Sequence, residues 1–337
     1  MAQTAAIFGP EGLAVTPWER DFFRDTDPFG FIVFARNIDT PDQLRRLTSE
    51  LRETVGRNAP ILIDQEGGRV QRMRSPHWRE YLPALDQMTQ ARDHMRAQWI
   101  RNRLIAAELL DVGIDVNCAP LGDLVEEGTH PVLLNRLYGG DIDTVVQAAR
   151  ICANAHLDGG VLPVLKHIPG YGRAHVDSHK DLPVMDFPLA DLEARDFAPF
   201  RALNDIAMGM TAHMVVPAID PDAPATTSPA MMGYIRNSIG FDGLIMTDDL
   251  SMEALSGTVA ERAHAAIAAG CDIILHCNGK AEEIQAVALA AGDMTPRAVQ
   301  RANNALAQRK NPTNIDIPQL EAELATLLDH DSPKALS

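Results

Sequence analysis

One short segment concentrates most of the reactive side chains of this chain. Residues 166–179 read KHIPGYGRAHVDSH and include one lysine, three histidines and one aspartate. The segment follows the apolar run 161–165, which is typical of a buried strand. Because a rigid scaffold positions the loops that carry function, we predict an active site here.

Two chemistries could arise from this segment alone. His167, His175, His179 and Asp177 have the ligand types that suit zinc. Lys166 could instead form a Schiff base with a carbonyl substrate. An amidohydrolase of the barrel type would need an H-x-H motif after the first strand, and the sequence there is FGPEG, at 8–12.

The elements that must position these side chains alternate along the chain. Eight apolar runs are separated by segments with helix signals, and the runs cover 5–8, 31–34, 61–63, 114–116, 161–165, 208–211, 244–246 and 273–275. One helix signal begins at Thr40 and ends at Gly56, and another begins with the Thr258–Glu261 capping box. Alternating strands and helices predict a parallel α/β sheet, and eight strands predict a TIM (β/α)8 barrel.

The barrel is expected to account for the whole chain. We predict a single catalytic (β/α)8 barrel domain over residues 1–337, with a C-terminal helical tail from about residue 311 that contains a helix at 317–328. A barrel with a small separate C-terminal appendage is the alternative.

Polar side chains follow almost every apolar run. The active site of such a barrel lies at the carboxyl ends of its strands. The side chains at these positions are Arg36, Asn37, Asp64, Arg72, Asn117, Asn135, Arg136, Lys166, His167, His213, Asp248, Asp249 and His276. Their convergence predicts a polar pocket.

Some of these side chains also have a purely structural interpretation. Asp248 or Asp249 could cap the next helix, and Arg72 and Arg136 could form surface ion pairs. Lys166 is harder to explain in that way, because a buried lysine needs a partner.

Glycoside hydrolysis uses these residue types best. It needs a nucleophilic carboxylate and a proton donor. Asp248 offers the carboxylate, and Asp177 can orient His179 because side chains at i and i+2 of an extended loop point the same way. A histidine with a pKa near ~6.5 can donate and accept protons at neutral pH. A non-catalytic sugar-binding barrel is an alternative, but sugar binding alone does not account for Asp248.

Four motifs resemble glycoside hydrolase family 3, and within it the bacterial β-N-acetylglucosaminidases of peptidoglycan recycling. They are IDQEGGRVQR at 63–72, Asn135-Arg136, KHIPGYG at 166–172 with Asp177-Ser-His179, and FDGLIMTDDLSM at 241–252. They occur in the family's order and span most of the chain. Ile168 and Tyr171 depart from the commoner pattern, which has phenylalanine and histidine at these positions.

The resemblance implies a two-step retaining mechanism without a metal or organic cofactor. It makes Asp248 the nucleophile and His179, supported by Asp177, the acid/base. The residues it assigns to the terminal N-acetylglucosamine are Asp64, Arg72, Arg136, Lys166 and His167. The implied substrate is N-acetylglucosamine β-1,4-linked to anhydro-N-acetylmuramic acid, with or without a peptide.

Composition limits the other partners. The chain has 337 residues, and its net charge of −16 (30 − 46) disfavours nucleic acid and anionic membranes. None of its four cysteines forms a C-x-x-C pair, and the N-terminus lacks a basic region and a long apolar stretch. We therefore expect a cytoplasmic protein that acts on a small-molecule substrate. We also expect a monomer, although composition does not determine the oligomeric state.

Overall fold

The structure, a computed structural model, describes residues 3–174 and 182–329. The strands that it contains in these ranges are β1 (Thr4–Phe8), β2 (Pro28–Val33), β3 (Ile61–Ile63), β4 (Gln65–Gly67), β5 (Val70–Gln71), β6 (Val116–Asn117), β7 (Leu162–Pro163), β8 (Leu165–Ile168), β9 (Met208–Thr211), β10 (Leu244–Asp249) and β11 (Ile273–His276). All but β4 and β5 belong to one parallel sheet, and those two form a small antiparallel hairpin.

The parallel sheet closes on itself. Its order is β7-β6-β3-β2-β1-β11-β10-β9-β8, so consecutive segments of the chain lie at its two ends. Val164 alone separates β7 from β8, and its N–H is shared between the carbonyls of Asn117 (3.1 Å) and Ala119 (2.9 Å). Thus β7 and β8 form one irregular strand, and the eight strands of a TIM-like (β/α)8 barrel are confirmed.

Alternation along the strands separates two cores. Ile7 and Leu275 point into the barrel, whereas their neighbours Phe8 and Ile274 pack outward against the helices. Successive residues of a strand face opposite sides, so each strand serves both cores. The barrel interior is packed, and the polar side chains collect above it, where the strands end.

The helices surround this sheet, and local sequence signals set several of their ends. The Thr40 side chain caps the helix Pro41–Val55, and Gly56 ends it with φ +66°. Thr258 and Glu261 form the predicted capping box of the helix Val259–Ala269. The described helices are α1 (Pro17–Thr26), α2 (Pro41–Val55), α3 (Ala84–Gln90), α4 (His94–Asp111), α5 (Pro131–Leu134), α6 (Ile142–Asp158), α7 (Leu189–Ala194), α8 (Ala198–Ala202), α9 (Pro229–Tyr234), α10 (Val259–Ala269), α11 (Ala281–Ala291), α12 (Pro296–Leu306) and α13 (Ile317–Leu328).

The last helix, α13, lies against α4. Arg96 on α4 forms an ion pair of 2.7 Å with Glu323, and the Leu327 carbonyl accepts from the Arg92 amide at 3.1 Å. The sequence predicts this helix with the same bounds. Among the described residues, no helix combines the length and the apolar character that a membrane span requires.

Candidate active site

A cavity of about 290 Å³ opens at the carboxyl ends of the barrel strands. Such a volume suits a small polar ligand, and both charged and apolar side chains surround it. Its lining consists of Ile32, Phe34, Asp64, Arg69, Val70, Arg72, Arg136, Lys166, His167, Tyr171, Met210, Asp248, Asp249, Met252, Leu275, Cys277 and Asn278.

Lys166 lies between two carboxylates on one wall of this cavity. Its Nζ is 2.9 Å from Asp64 and 2.6 Å from Glu66, and Asp64 also accepts from Arg72 at 3.0 Å. Burial alone lowers the pKa of Lys166, but the charges of Asp64 and Glu66 outweigh burial and raise that pKa above its usual value. The side chain is therefore a fixed ammonium donor, which removes the basis for a Schiff base.

Glu66 connects the second cation to the same wall. Both of its oxygens accept from Arg136, at 2.8 and 2.9 Å. Burial alone raises the pKa of Glu66, but Arg136 and then Lys166 outweigh it and lower the pKa to about 2. Arg136 is thus a buried, bidentate partner and not a surface ion pair. Sequence analysis missed Glu66, although its i+2 spacing from Asp64 in an extended segment places it on the same side.

A second buried carboxylate, that of Asp123, lies behind His167. Asp123 Oδ2 is 2.9 Å from His167 Nδ1 and accepts from the His167 amide at 3.1 Å. Asp123 Oδ1 accepts from the Tyr171 amide at 3.0 Å. The Tyr171 ring meets the imidazole edge to face, with centroids 4.9 Å apart. Sequence analysis missed Asp123, because only the fold brings residue 123 beside residue 167.

Two adjacent aspartates end β10 on the facing wall. Within the described residues, the one hydrogen bond to the Asp248 carboxylate comes from the Asp249 amide, at 2.8 Å. Burial raises the pKa of Asp248, but the neighbouring imidazoles of His213 and His167 and this amide outweigh burial and hold the pKa below its usual value. Asp248 therefore presents an ionised carboxylate to the cavity at neutral pH.

The Asp249 carboxylate is committed to local structure. It accepts from the Ser251 amide at 3.0 Å and from the Cys277 amide at 3.1 Å, so it joins the ends of β10 and β11. His213 Nε2 donates to the Asp249 carbonyl at 3.1 Å, and His213 Nδ1 forms a hydrogen bond of 2.7 Å with Thr226 Oγ1. The prediction that Asp248 or Asp249 caps the following helix is wrong, because Thr258 is the N-cap of α10 and Asp249 accepts instead from amides that follow β10 and β11.

Comparison with known families identifies this arrangement. The profile of the glycosyl hydrolase family 3 N-terminal domain matches residues 20–308. The chain belongs to glycoside hydrolase family 3. The resemblance predicted from the four sequence motifs is thereby confirmed.

The relatives of this family 3 enzyme indicate which glycoside hydrolases it resembles. It is 38% identical over 282 residues to a β-hexosaminidase of Alkalilimnicola ehrlichii, covering 81% of this chain and 80% of the relative. A β-hexosaminidase of Chromobacterium violaceum is 36% identical over 299 residues, with 86% and 83% covered. The family 3 enzyme is therefore a glycoside hydrolase similar to β-hexosaminidases.

Solved structures agree with this assignment. NagZ from Neisseria gonorrhoeae in complex with N-trifluoroacetyl-D-glucosamine superposes with a TM-score of 0.84 at 30% identity, over 99% of each chain. A family 3 β-N-acetylglucosaminidase from Paenibacillus sp. FPU-7 gives a TM-score of 0.86 at 28% identity, over 96% of this chain and 67% of that one. The chain is NagZ-like in fold.

The structure of the family 3 enzyme brings together most of the residues singled out from sequence. The cavity contains Asp64, Arg72, Arg136, Lys166, His167 and Asp248. Arg36 instead donates to the backbone carbonyls of Pro10 and Cys277, and Asn37 and Asn117 likewise serve local structure. His175, Asp177 and His179 lie outside the described residues.

The departures from the commoner family pattern have different locations. Ile168 is fully buried in the outer core, whereas Tyr171 lines the cavity and packs on His167. All four cysteines are free and buried, and Cys277 reaches the cavity. Residues 3–174 and 182–329 contain no cluster of three or more His, Cys, Asp or Glu side chains that could hold a metal ion.

Proposed function

We propose that this family 3 enzyme is a retaining exo-β-N-acetylglucosaminidase. Asp248 forms a covalent glycosyl-enzyme, and His179, supported by Asp177, donates and accepts the proton. The observation that carries the proposal is the position of the Asp248 carboxylate, which shares one cavity with Asp64, Arg72, Arg136, Lys166 and His167 and accepts one hydrogen bond from the described residues.

The charged side chains on the Lys166 side of the cavity suit the hydroxyl and amide groups of one sugar ring. Lys166, Arg72 and Arg136 supply N–H donors, and Asp64 can accept from a sugar hydroxyl. Met210, Leu275 and Ile32 give the cavity an apolar part against which a pyranose ring can pack. A cavity of about 290 Å³ suits a single terminal sugar, which favours exo action.

The chemistry then follows in two steps. An Asp248 oxygen attacks the anomeric carbon while the glycosidic C–O bond breaks and His179 protonates the leaving oxygen. In the second step neutral His179 takes a proton from water. The water oxygen attacks the anomeric carbon from the face that the leaving group occupied and displaces Asp248. Two inversions at the anomeric carbon give net retention of configuration.

We further propose a place for the reaction in peptidoglycan recycling. The substrate is N-acetylglucosamine β-1,4-linked to anhydro-N-acetylmuramic acid, with or without a peptide. The reaction thereby links the enzyme to cell-wall biogenesis, cell shape and cell division. We infer a cytoplasmic monomer, with residues 1–337 as one catalytic domain, that needs no metal or organic cofactor. The similarity to NagZ and to β-hexosaminidases, at 30–38% identity, supports the hexosaminidase activity on which this role rests.

Hydrolysis of chromogenic glycosides tests the proposal. We expect release of the aryl group from the β-N-acetylglucosaminide and much slower release from the matching β-glucoside. The matching β-N-acetylgalactosaminide is the third substrate, because it measures how strictly the enzyme selects the sugar. Activity should survive exhaustive chelation. Loss on chelation with recovery on adding zinc would favour the alternative, a metal-dependent hydrolase that uses the histidines of residues 167–179.

A further inference from the structure

We propose that Asp123 is a positioning residue that fixes, with one carboxylate, both the imidazole of His167 and the root of the segment that leads to His179. This inference rests on the proposed function for the role of His179. It assigns to Asp123 no contact with the sugar, because Asp123 is fully buried behind His167 and does not line the cavity.

The barrel itself brings Asp123 to this position. Leu121 pairs with Lys166 in a parallel bridge, and the Gly122 amide donates to the Lys166 carbonyl at 2.8 Å. The segment therefore continues the sheet beside β8, and Asp123 is the next residue along. A Cβ at Gly122 would lie 3.0 Å from the Phe200 ring, so the segment packs tightly at this point.

The burial of this carboxylate calls for an explanation. Asp123 is 1% exposed, and within residues 3–174 and 182–329 its one ion-pair partner is His167. The other two donors are the amides of His167 and Tyr171. A buried charge without an arginine or lysine partner is costly unless donors surround it. Here three donors, the His167 ring and the amides of His167 and Tyr171, converge on the carboxylate.

The contact to His167 orients the ring. With Nδ1 directed at Asp123 and the Tyr171 ring in T-shaped contact, the imidazole has its Nε2 edge left for the cavity. A carboxylate behind a histidine fixes both its tautomer and its direction. The same imidazole also helps to keep Asp248 ionised.

The contact to Tyr171 anchors the chain. Residues 170–172 pack tightly: a Cβ at Gly170 would lie 2.5 Å from the Asp196 carbonyl oxygen, and one at Gly172 would lie 2.0 Å from the Leu124 carbonyl oxygen. The Gly172 carbonyl accepts from Thr129 Oγ1 at 2.7 Å. Asp123 therefore holds the point from which the chain continues towards residue 179.

The test compares Asp123→Asn with Asp115→Asn. Asp115 is a control because it is also a buried aspartate that accepts from a backbone amide, that of Ile61 at 2.8 Å. Unlike the partners of Asp123, its partners Ile61, Arg52 and Arg309 do not line the cavity. Both variants are assayed on two aryl β-N-acetylglucosaminides, one with a dinitrophenyl and one with a phenyl leaving group. NMR of the full chain follows the His167 Hδ1 proton and the Tyr171 amide proton.

For Asp123→Asn we expect kcat/KM on the dinitrophenyl substrate to fall roughly 10-fold, the factor that one charge-assisted hydrogen bond represents. On the phenyl substrate the loss should be roughly 10-fold larger again, because only that leaving group needs protonation. The His167 Hδ1 signal of Asp123→Asn should be lost or shifted strongly upfield. Asp115→Asn should leave unchanged both the ratio of kcat/KM between the two substrates and the His167 Hδ1 signal.

A general loss of folded protein would lower activity on both substrates by the same factor. Equal losses on both substrates, or NMR signals unchanged from wild type, therefore overturn the proposal. If the wild-type chain hydrolyses neither glycoside, the proposed function fails, and the two NMR signals alone then decide whether Asp123 holds His167 and Tyr171.

Discussion

The backbone amide of Asp249 donates a 2.8 Å hydrogen bond to Oδ1 of Asp248. The side chains of these two adjacent residues have different surroundings. The Asp249 carboxylate accepts from the Ser251 and Cys277 amides, which ties two strand ends together. Asp248 lines the cavity and has one hydrogen bond from the described residues. The first aspartate is thus available for chemistry, and the second holds it in place.

This difference predicts that substitution of Asp248 lowers mainly turnover, whereas substitution of Asp249 lowers mainly stability. Asp248→Ala should lower kcat at least about 10³-fold, because the covalent step disappears, with little loss of stability. Asp249→Asn should lower the free energy of unfolding by about 1–3 kcal/mol, because amide donors lose a charged acceptor. Glycoside kinetics and chemical denaturation of both variants check this. Wild-type turnover by Asp248→Ala would contradict the nucleophile assignment.

Glu66→Gln tests the carboxylate between Arg136 and Lys166. The pKa of Glu66 in the folded chain is about 2, below its ordinary 4.5, so its charge stabilises the fold fully above pH ~4.5. That contribution, about 3 kcal/mol, is lost as the pH falls from ~4.5 through 2. We expect the wild type to exceed Glu66→Gln in unfolding free energy at pH 7 and the gap to narrow below pH 4.

Glu108→Gln provides a comparison of opposite sign. Burial raises the pKa of Glu108 above its ordinary value despite its contacts with Arg79 and Tyr81. Ionisation of Glu108 therefore costs stability as the pH rises above ~4.5, and the gap between the wild type and Glu108→Gln should shrink in that direction. Denaturation curves from pH 3 to 7 measure both slopes, and equal slopes for the two variants would count against these assignments.

His179→Ala tests the proton donor. Turnover should fall strongly with a phenyl leaving group and little with a dinitrophenyl one, because an acidic phenol departs without protonation. Exogenous azide should accelerate the second step of the variant, since it replaces water without needing a base. Equal losses with the two leaving groups would mean that His179 has a structural role.

Gly170→Ala tests the tight packing at the root of the segment that leads to His179. Gly170 has φ +121°, and an added Cβ would meet the Asp196 carbonyl oxygen at 2.5 Å. The substitution should cost about 2 kcal/mol or more of unfolding free energy. Gly233→Ala is the control: this α9 glycine has open space around its Cβ position and should gain up to ~1 kcal/mol. Thermal unfolding of the two variants should therefore shift in opposite directions.

The sequence was sufficient for the barrel and for the side chains that end its strands. Apolar runs such as 61–63 and 208–211 became strands with the same bounds, because a buried parallel strand has few polar positions to obscure it. The run at 161–165 gave the position of the fifth strand but not its break at Val164, which depends on how β6 and β9 approach from two sides. Such pairing is non-local and has no signature in a short run.

The candidate site was predictable only where its residues act directly. Lys166, His167 and Asp248 stand at strand ends and belong to motifs, so their positions were evident. The carboxylates behind them were harder to find. The spacing of Glu66 from Asp64 placed it on the same side, but its partner Arg136 lies 70 positions away, and the His167 partner of Asp123 lies 44 positions away. Gly170 and Gly172 pack against backbone carbonyls that only the folded chain brings near. Supporting residues depend on tertiary contacts, which spacing alone does not reveal.

Covalent trapping tests the central claim most directly. A fluorinated N-acetylglucosaminyl derivative with an activated leaving group should slow both steps but allow the first, so that the glycosyl-enzyme accumulates. We predict a stoichiometric adduct that peptide mass spectrometry places on Asp248, and product of retained β configuration from the normal substrate. An adduct on Asp249, or an inverted α product without any adduct, would contradict the account.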